Sequence, residues 1–562
     1  MIASETARQQ GTQAAITSRV RRAWIGIVLF FTVLVIVSLG RGVFNYNTET
    51  DFLGGFVPEA MRFLEGDALR IDFHPPLYPM SIALVYAALG DWFASGIALS
   101  LLASLAVMAM SLVYLRTSLG EGAAIGGVVA LVISPTFVYY SLQATSELFS
   151  LALYIGAFLA VSVSARQRSA LTYLVAGFVL GLALLTRTNH IVLLGLLLFY
   201  LVPMPSDSRR RSAQTVFKAL GTVVLGIGLP LLIWSVYATS TGAPVMPTKN
   251  HENLALTYFS PDDRISGEAR FVLAQQFTST LEVLTADPAR ILRIYARDFV
   301  VTSHRLLLRD TVLPVPLIGL SLLLWLLLWF RERDRRAWIV VLFLNLVAMY
   351  VLLNFKAYEH RYYLYLLPFF GASIGYVFEK AMRAVGSAAV RISCLLVLTL
   401  VLGYGVSFGI NESRRLHFSD WATDAYVAAQ QLPAPDVGES HALFARKPHV
   451  AFYADARSAW MPHLETLEAF IEYLSVFERF ASRQVFVFYG ADERARRPQY
   501  AALAHPEGAG LSAGLELVAT GPERDGWFLY RFERQDDSVG PLLDGTRPAG
   551  SLSMLRVGVK VP

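Results

Sequence analysis

Twelve apolar runs, most of them long enough to cross a bilayer, constrain this chain more than any other feature. They are Ala23–Leu39, Leu77–Leu89, Ala94–Leu115, Ala123–Tyr140, Leu148–Ala165, Leu171–Leu185, Ile191–Val202, Val216–Tyr237, Leu313–Phe330, Ala337–Leu353, Tyr362–Phe378 and Ile392–Phe408. A span needs about 20 mostly apolar residues, because only a helix satisfies its own backbone in lipid. Composition agrees: 55% of the residues are hydrophobic and 16% charged, against about a quarter charged in soluble domains.

Charge sets the parity of the spans. Arg19, Arg21 and Arg22 precede the first run, which is longer than a signal-peptide core and has no A-x-A site after it. This reads as an uncleaved anchor with a cytoplasmic N-terminus. If every run spanned, Arg116 and the first clusters after it (Arg166 and Arg168, Arg209 to Arg211) would fall outside. Leu77–Leu89 is too short for an ordinary span. With that segment in the interface, these clusters and those at Arg331 to Arg336, Lys380, Arg383 and Arg391 all become cytoplasmic. The expected fold is a polytopic α-helical membrane protein of about 11 spans plus a juxtamembrane helix, with a small extracytoplasmic C-terminal α/β domain. The expected divisions are a cytoplasmic N-terminus at 1–22, a transmembrane domain at 23–410 with outer loops 41–76 and 239–312, and the outer domain at 411–562. In that domain Asp420–Gln431 and Leu464–Phe480 read as helices; Ala442–Phe444, Val450–Tyr453, Gln484–Tyr489 and Trp527–Phe532 read as strands.

The net charge of +5 does not indicate nucleic acid, since the arginines sit at the ends of apolar runs. The single cysteine, Cys394, rules out an intrachain disulfide or a cysteine-based metal site. No Gly-rich phosphate loop follows a strand, and neither His-Glu-x-x-His nor Gly-x-Ser-x-Gly occurs. Gly177/Gly181 and Gly226/Gly228 read as helix packing.

The first outer loop holds the best candidates for chemistry. Glu49 and Asp51, two residues apart just beyond a span, suit a general base or a cation site, although a solvated acidic loop has the same pattern. His74 precedes two prolines and Tyr78, where a plain helix start would also place it. Glu147 opens a span, a favourable place for any acid. Arg187, Asn189 and His190 interrupt apolar runs, and ionisable residues at membrane depth are functional candidates by default. Lys356, His360 and Arg361 add a basic group on the same face, with lipid anchoring as the bland alternative. An acid with several cations on one side suggests a phosphate-bearing, membrane-borne substrate. Loop 239–312, with Lys249, His251, Asp262 and Asp263, has the length of a lid.

In order and spacing these pieces resemble the GT-C superfamily of lipid-linked-sugar glycosyltransferases, in its protein mannosyltransferase, aminoarabinose transferase and rhizobial lipopolysaccharide glycosyltransferase branch. The matching residues are Asp51 after the first run, Ala60 with Gly66-Asp67, His74-Pro75-Pro76-Leu77-Tyr78, Ser146-Glu147-Leu148, Leu185-Thr186-Arg187, and Arg361-Tyr362-Tyr363 before Pro368. They cover roughly residues 20–410. The resemblance implies a polyprenyl-phosphate sugar donor, an inverting transfer to an acceptor hydroxyl, and Asp51 as the base. Glu49 and Glu147 become supporting acids. Arg187, Lys356, His360 and Arg361 would bind the donor phosphate, and His74 and Tyr78 would touch the acceptor or the interface. His74 stands where some relatives carry Lys, which leaves its role open. The acceptor is a lipid, a glycan or a protein. The residues themselves call for no cofactor; some relatives hold a divalent cation near the acids, which leaves metal dependence open, with Asp51 and Glu147 as the ligands if one binds here. The expected location is a bacterial inner membrane. The rival reading is a transporter or lipid-linked-sugar flippase, which would more often show an inverted repeat.

Overall fold

The computed structural model describes residues 21–39, 50–201, 212–259, 276–308, 313, 317–318, 321–325, 336–354, 360–384, 387–417, 421–434, 441–462, 464–481, 484–506, 514–521 and 526–533. The chain forms two compact units. One comprises Met1–Phe44, Arg62–Asn250 and Leu284–Phe418, and the other Asn45–Met61, His251–Val283 and Ser419–Pro562.

The first unit is helical. Among the described residues, Arg21–Leu39, Trp92–Ser118, Glu147–Gln167 and Ala213–Thr241 are long and apolar enough to cross a membrane. Leu77–Leu89, Ala170–Leu184, Thr188–Tyr200 and Ile339–Leu353 are shorter apolar helices. Side-chain caps start several of them where the first turn leaves N–H groups without partners: Asp91 accepts from Ala94 N at 2.7 Å, and Ser169 from Thr172 N at 3.2 Å.

Three apolar runs differ in form from a regular span. Ala123–Tyr140 breaks into Glu121–Ile133 and Pro135–Ser141, which meet at 69°. Pro135 has no N–H to continue the ladder and pushes Ser134 into extended backbone, from which the Ser134 hydroxyl accepts from Phe137 N at 3.3 Å. Ile191–Val202 falls mostly on a 13-residue 3₁₀ segment, Thr188–Tyr200. At about 2.0 Å rise per residue it reaches some 26 Å, where an α-helix would reach about 20 Å. Leu77–Leu89 is a helix of 13 residues over the limits expected, about 20 Å long and short of a bilayer core near 30 Å.

Backbone contact joins two helix pairs. A Cβ on Gly126 would fall 2.3 Å from Gly371 O, and one on Gly177 would fall 2.0 Å from Val223 O. Only glycine permits such an approach, as in membrane helix pairs generally. Gly228 departs from the expectation, since a Cβ there would meet nothing within 4 Å. The two expected outer loops are tied to each other. Thr248 N donates to Ile71 O at 2.9 Å, Lys249 N to Asp72 O at 2.8 Å, and Lys249 Nζ to Asp72 Oδ2 at 2.8 Å.

The second unit carries a five-stranded sheet of β1 (Ala442–Ala445), β2 (Arg457–Trp460), β3 (Val485–Tyr489), β4 (Leu515–Thr520) and β5 (Phe528–Phe532), in the order β2-β1-β3-β5-β4. β1 is parallel to both neighbours, and β3, β5 and β4 pair antiparallel. β3 is buried along its whole length. Val485, Val487 and Tyr489 join one core with Phe470 and Leu474; Phe486 and Phe488 join another with Ala428 and Val450. A strand covered on both faces reads as a continuous apolar run. Helices Trp421–Ala429 and Leu467–Ala481 fall where helices are expected. Val450–Tyr453, expected as a strand, lies instead in the helical turn His449–Tyr453. Pro448 caps that turn, and Val450 and Ala451 are buried in it.

Candidate active site

A charged cluster forms where three segments of the first unit meet. Glu147 is the first residue of Glu147–Gln167, and its side chain is 1% exposed. Arg187 Nη2 is ion-paired to Glu147 Oε1 and bonds Ser146 Oγ at 3.2 Å. Arg361 Nη1 lies 3.5 Å from the same Oε1. Both guanidiniums lie over the ring of Tyr362, at 5.9 and 5.4 Å from its centroid. Their side chains are 16% and 14% exposed. Among the described residues one carboxylate thus stands against two guanidiniums, both of which reach solvent. Among the described residues Glu147 Oε2 is buried and has no hydrogen-bond partner, an open acceptor beside the two cations.

A second polar group lies one turn further along each of these segments. Ser150 Oγ is 3.1 Å from His190 Nε2 and 2.6 Å from Tyr365 Oη, and His190 Nδ1 is 2.8 Å from Ala183 O. A carbonyl only accepts, so Nδ1 carries the proton. With the ring neutral, Ser150 donates to Nε2 and Tyr365 donates to Ser150.

The other expected residues lie elsewhere. Asp51 belongs to the second unit, where residues 50–61 are helical and Phe52–Phe56 form a π turn directly after it. Such turns widen a helix by one residue and recur at functional sites. In the same unit, a Cβ on Gly54 would lie 3.4 Å from Pro448 Cγ. His74 is half-buried in the loop before Leu77–Leu89. Tyr78 is buried, its ring 5.7 Å from that of Phe149. Glu49, Lys356, Asp262 and Asp263 lie outside the described residues, as does the side chain of His360. Among the described residues no three His, Cys, Asp or Glu side chains group so as to hold a metal ion.

Sequence reasoning selected Glu147, Arg187 and Arg361 but missed Ser150 and Tyr365. The signal was helical spacing: Ser150 is three residues after Glu147, and Tyr365 four after Arg361.

The comparisons with known proteins bear on the class. A family model for dolichyl-phosphate-mannose-protein mannosyltransferases matches residues 73–234. Over that stretch the chain is similar to these mannosyltransferases. Among solved structures the chain is similar to ArnT from Cupriavidus metallidurans. The apo crystal structure matches with a TM-score of 0.56 over 91% of this chain and 98% of that one, at 14% identity. The crystal structure bound to undecaprenyl phosphate matches with a TM-score of 0.53 over 90% and 98%, again at 14% identity. At that identity the likeness is one of fold. No curated protein sequence matches the chain.

Proposed function

We propose that the chain is an inverting glycosyltransferase that moves a sugar from a polyprenyl phosphate to an acceptor hydroxyl at the outer face of the membrane. The observation that carries this reading is the convergence of Arg187 and Arg361 on one buried carboxylate, Glu147, in a fold similar to a transferase that binds undecaprenyl phosphate. In the proposed reaction Asp51 takes the acceptor hydroxyl proton. The acceptor oxygen bonds the anomeric carbon from the side opposite the phosphate. The bond from that carbon to the phosphate oxygen breaks, and the lipid phosphate leaves with the electron pair toward Arg187 and Arg361. Lys356 and His360 would add to the phosphate contacts, and His74 and Tyr78 would face the acceptor. In this reading residues 23–410 form the transmembrane domain and 411–562 a domain outside a bacterial inner membrane, with the N-terminus in the cytoplasm.

Asp51→Asn tests the base. A general base contributes roughly 10²–10⁴-fold, so transfer from labelled polyprenyl-phosphate sugar in isolated membranes should fall by about that factor. Transfer at the wild-type rate would remove Asp51 from the mechanism. A cysteine placed at Ser208 tests orientation: it should resist an impermeant thiol reagent added to intact cells, and labelling there would reverse the assignment.

A further inference from the structure

We infer that Ser150, His190 and Tyr365 form a positioning layer that holds Arg187 and Arg361 at the spacing needed to grip one phosphate between them. The inference rests on the proposed reading of the cluster as the donor-phosphate site.

The backbone under the two arginines explains why such a layer is needed. Arg187 is in extended conformation (φ −149°, ψ 137°), just before the 3₁₀ segment Thr188–Tyr200. Arg361 lies in the short 3₁₀ turn His360–Tyr365. Neither has around it the long cooperative ladder of an α-helix, and 3₁₀ hydrogen bonds have poorer geometry. Glu147 does have that ladder, at the start of a helix of 21 residues. Two guanidiniums sharing one carboxylate oxygen also repel each other. Something must hold both cationic segments to the Glu147 helix.

The layer makes those ties. Ser150 projects from the Glu147 helix one turn below the carboxylate. It bonds His190, three residues after Arg187, and Tyr365, four residues after Arg361. His190 N also donates to Arg187 O at 3.1 Å, which closes the first turn of the 3₁₀ segment. His190 Nδ1 in turn bonds Ala183 O in the preceding helix, Ala170–Leu184. All three side chains are buried, at 0%, 0% and 1% exposure. Tyr154 walls them in, its ring 5.0 Å from Tyr365 and 5.8 Å from His190. Each bond in the chain has one donor and one acceptor, so a defect in any member leaves a buried group without a partner. None of the three reaches a guanidinium directly among the bonds described. Their tie to the arginines runs through the backbone that carries them, beside the direct electrostatic interaction of Tyr365 and His190 with Arg187.

Two measurements on the purified full-length chain in nanodiscs test this. Phenylglyoxal, which modifies arginine, reads the cluster without any substrate. Its reaction at Arg187 and Arg361, followed by mass spectrometry, should be about fivefold faster in Tyr365→Phe and His190→Leu, the factor one net hydrogen bond supplies. His190→Gln restores a donor and an acceptor and should react nearly as slowly as wild type. Equal rates in all variants, at thermal midpoints close to wild type, would overturn the layer. So would faster reaction at every arginine alike, which marks general loosening. Titration with undecaprenyl phosphate is the second measurement. Tyr365→Phe should raise its Kd by about the same fivefold, and an unchanged Kd counts against positioning. If the wild-type chain does not bind undecaprenyl phosphate at all, the donor reading fails while the phenylglyoxal result still decides the layer.

Discussion

Replacing Glu147 by Gln should destabilise the chain far more than replacing either arginine that it serves. The change keeps the volume and removes the one anion between two cations. Arg361 Nη1 lies 3.5 Å from Glu147 Oε1, with side-chain exposures of 14% and 1%. At an effective dielectric of about 20, a unit pair at that distance interacts by about 5 kcal/mol before desolvation is charged against it. Arg187 pairs with the same oxygen. Breaking a buried pair by removing one partner costs about 3–5 kcal/mol, and here two cations lose the carboxylate they share. Melting entropy grows with size at about 2.1 cal/mol/K per residue, so a unit this large loses only about 1–1.5 °C in midpoint per kcal/mol, and Glu147→Gln should melt about 4–7 °C below wild type in detergent. Arg361→Gln leaves the Arg187 pair intact and should cost less. The double variant Glu147→Gln/Arg361→Gln removes one of the stranded cations, and it should recover part of the loss, with a coupling of about 0.5–3 kcal/mol. A Glu147→Gln midpoint within about 2 °C of wild type would refute the reasoning. A double variant as unstable as the two single losses added would show that the cations do not share the carboxylate.

Gly126→Ala should lower the thermal midpoint sharply, because its Cβ would fall 2.3 Å from the Gly371 carbonyl oxygen and only backbone can move away. Gly228→Ala, with open space around its Cβ, should be neutral or gain up to about 1 kcal/mol of helix propensity; the reverse order in a melting assay would contradict the helix contacts described. The C-terminal unit should lose resistance to proteolysis at alkaline pH. Burial pushes the Tyr489 hydroxyl up to about 12, against about 10 in an unfolded chain. The folded state therefore favours the neutral form: that stability is complete below about pH 10 and is lost as pH rises toward 12. Proteolysis setting in below pH 9 would need another cause.

What could be read from the sequence, and what could not, divides along a physical line. Length together with charge parity singled out Leu77–Leu89, which is a helix of 13 residues. The apolar run Gln484–Tyr489 gave away β3, since a strand buried on both faces needs no alternation. At the sheet edge, β2, Arg457–Trp460, escaped notice because Arg457 and Trp460 are exposed and its residues show no apolar run. Ser134-Pro135 was a readable break, but the apolar residues on either side outweighed it. That the Asp51 segment belongs to the same compact unit as residues 419–562 depends on contacts hundreds of residues apart, which no local pattern encodes.

The charged cluster shows the division most clearly. Charge in an apolar run is conspicuous, so Glu147, Arg187 and Arg361 stood out, whereas their pairing is a tertiary fact. Ser150 and Tyr365 fit an apolar run without disturbing its hydropathy, so a scan for charge passes over them. Yet a buried hydroxyl costs free energy unless it is bonded, and both residues lie one helical turn from a charged residue already singled out. The useful rule for such a chain is to step three and four residues from each membrane-embedded charge and ask what every Ser, Tyr or His found there would bond. Applied here it gives Ser150 from Glu147, His190 from Arg187 and Tyr365 from Arg361, and Ser150 bonds each of the other two.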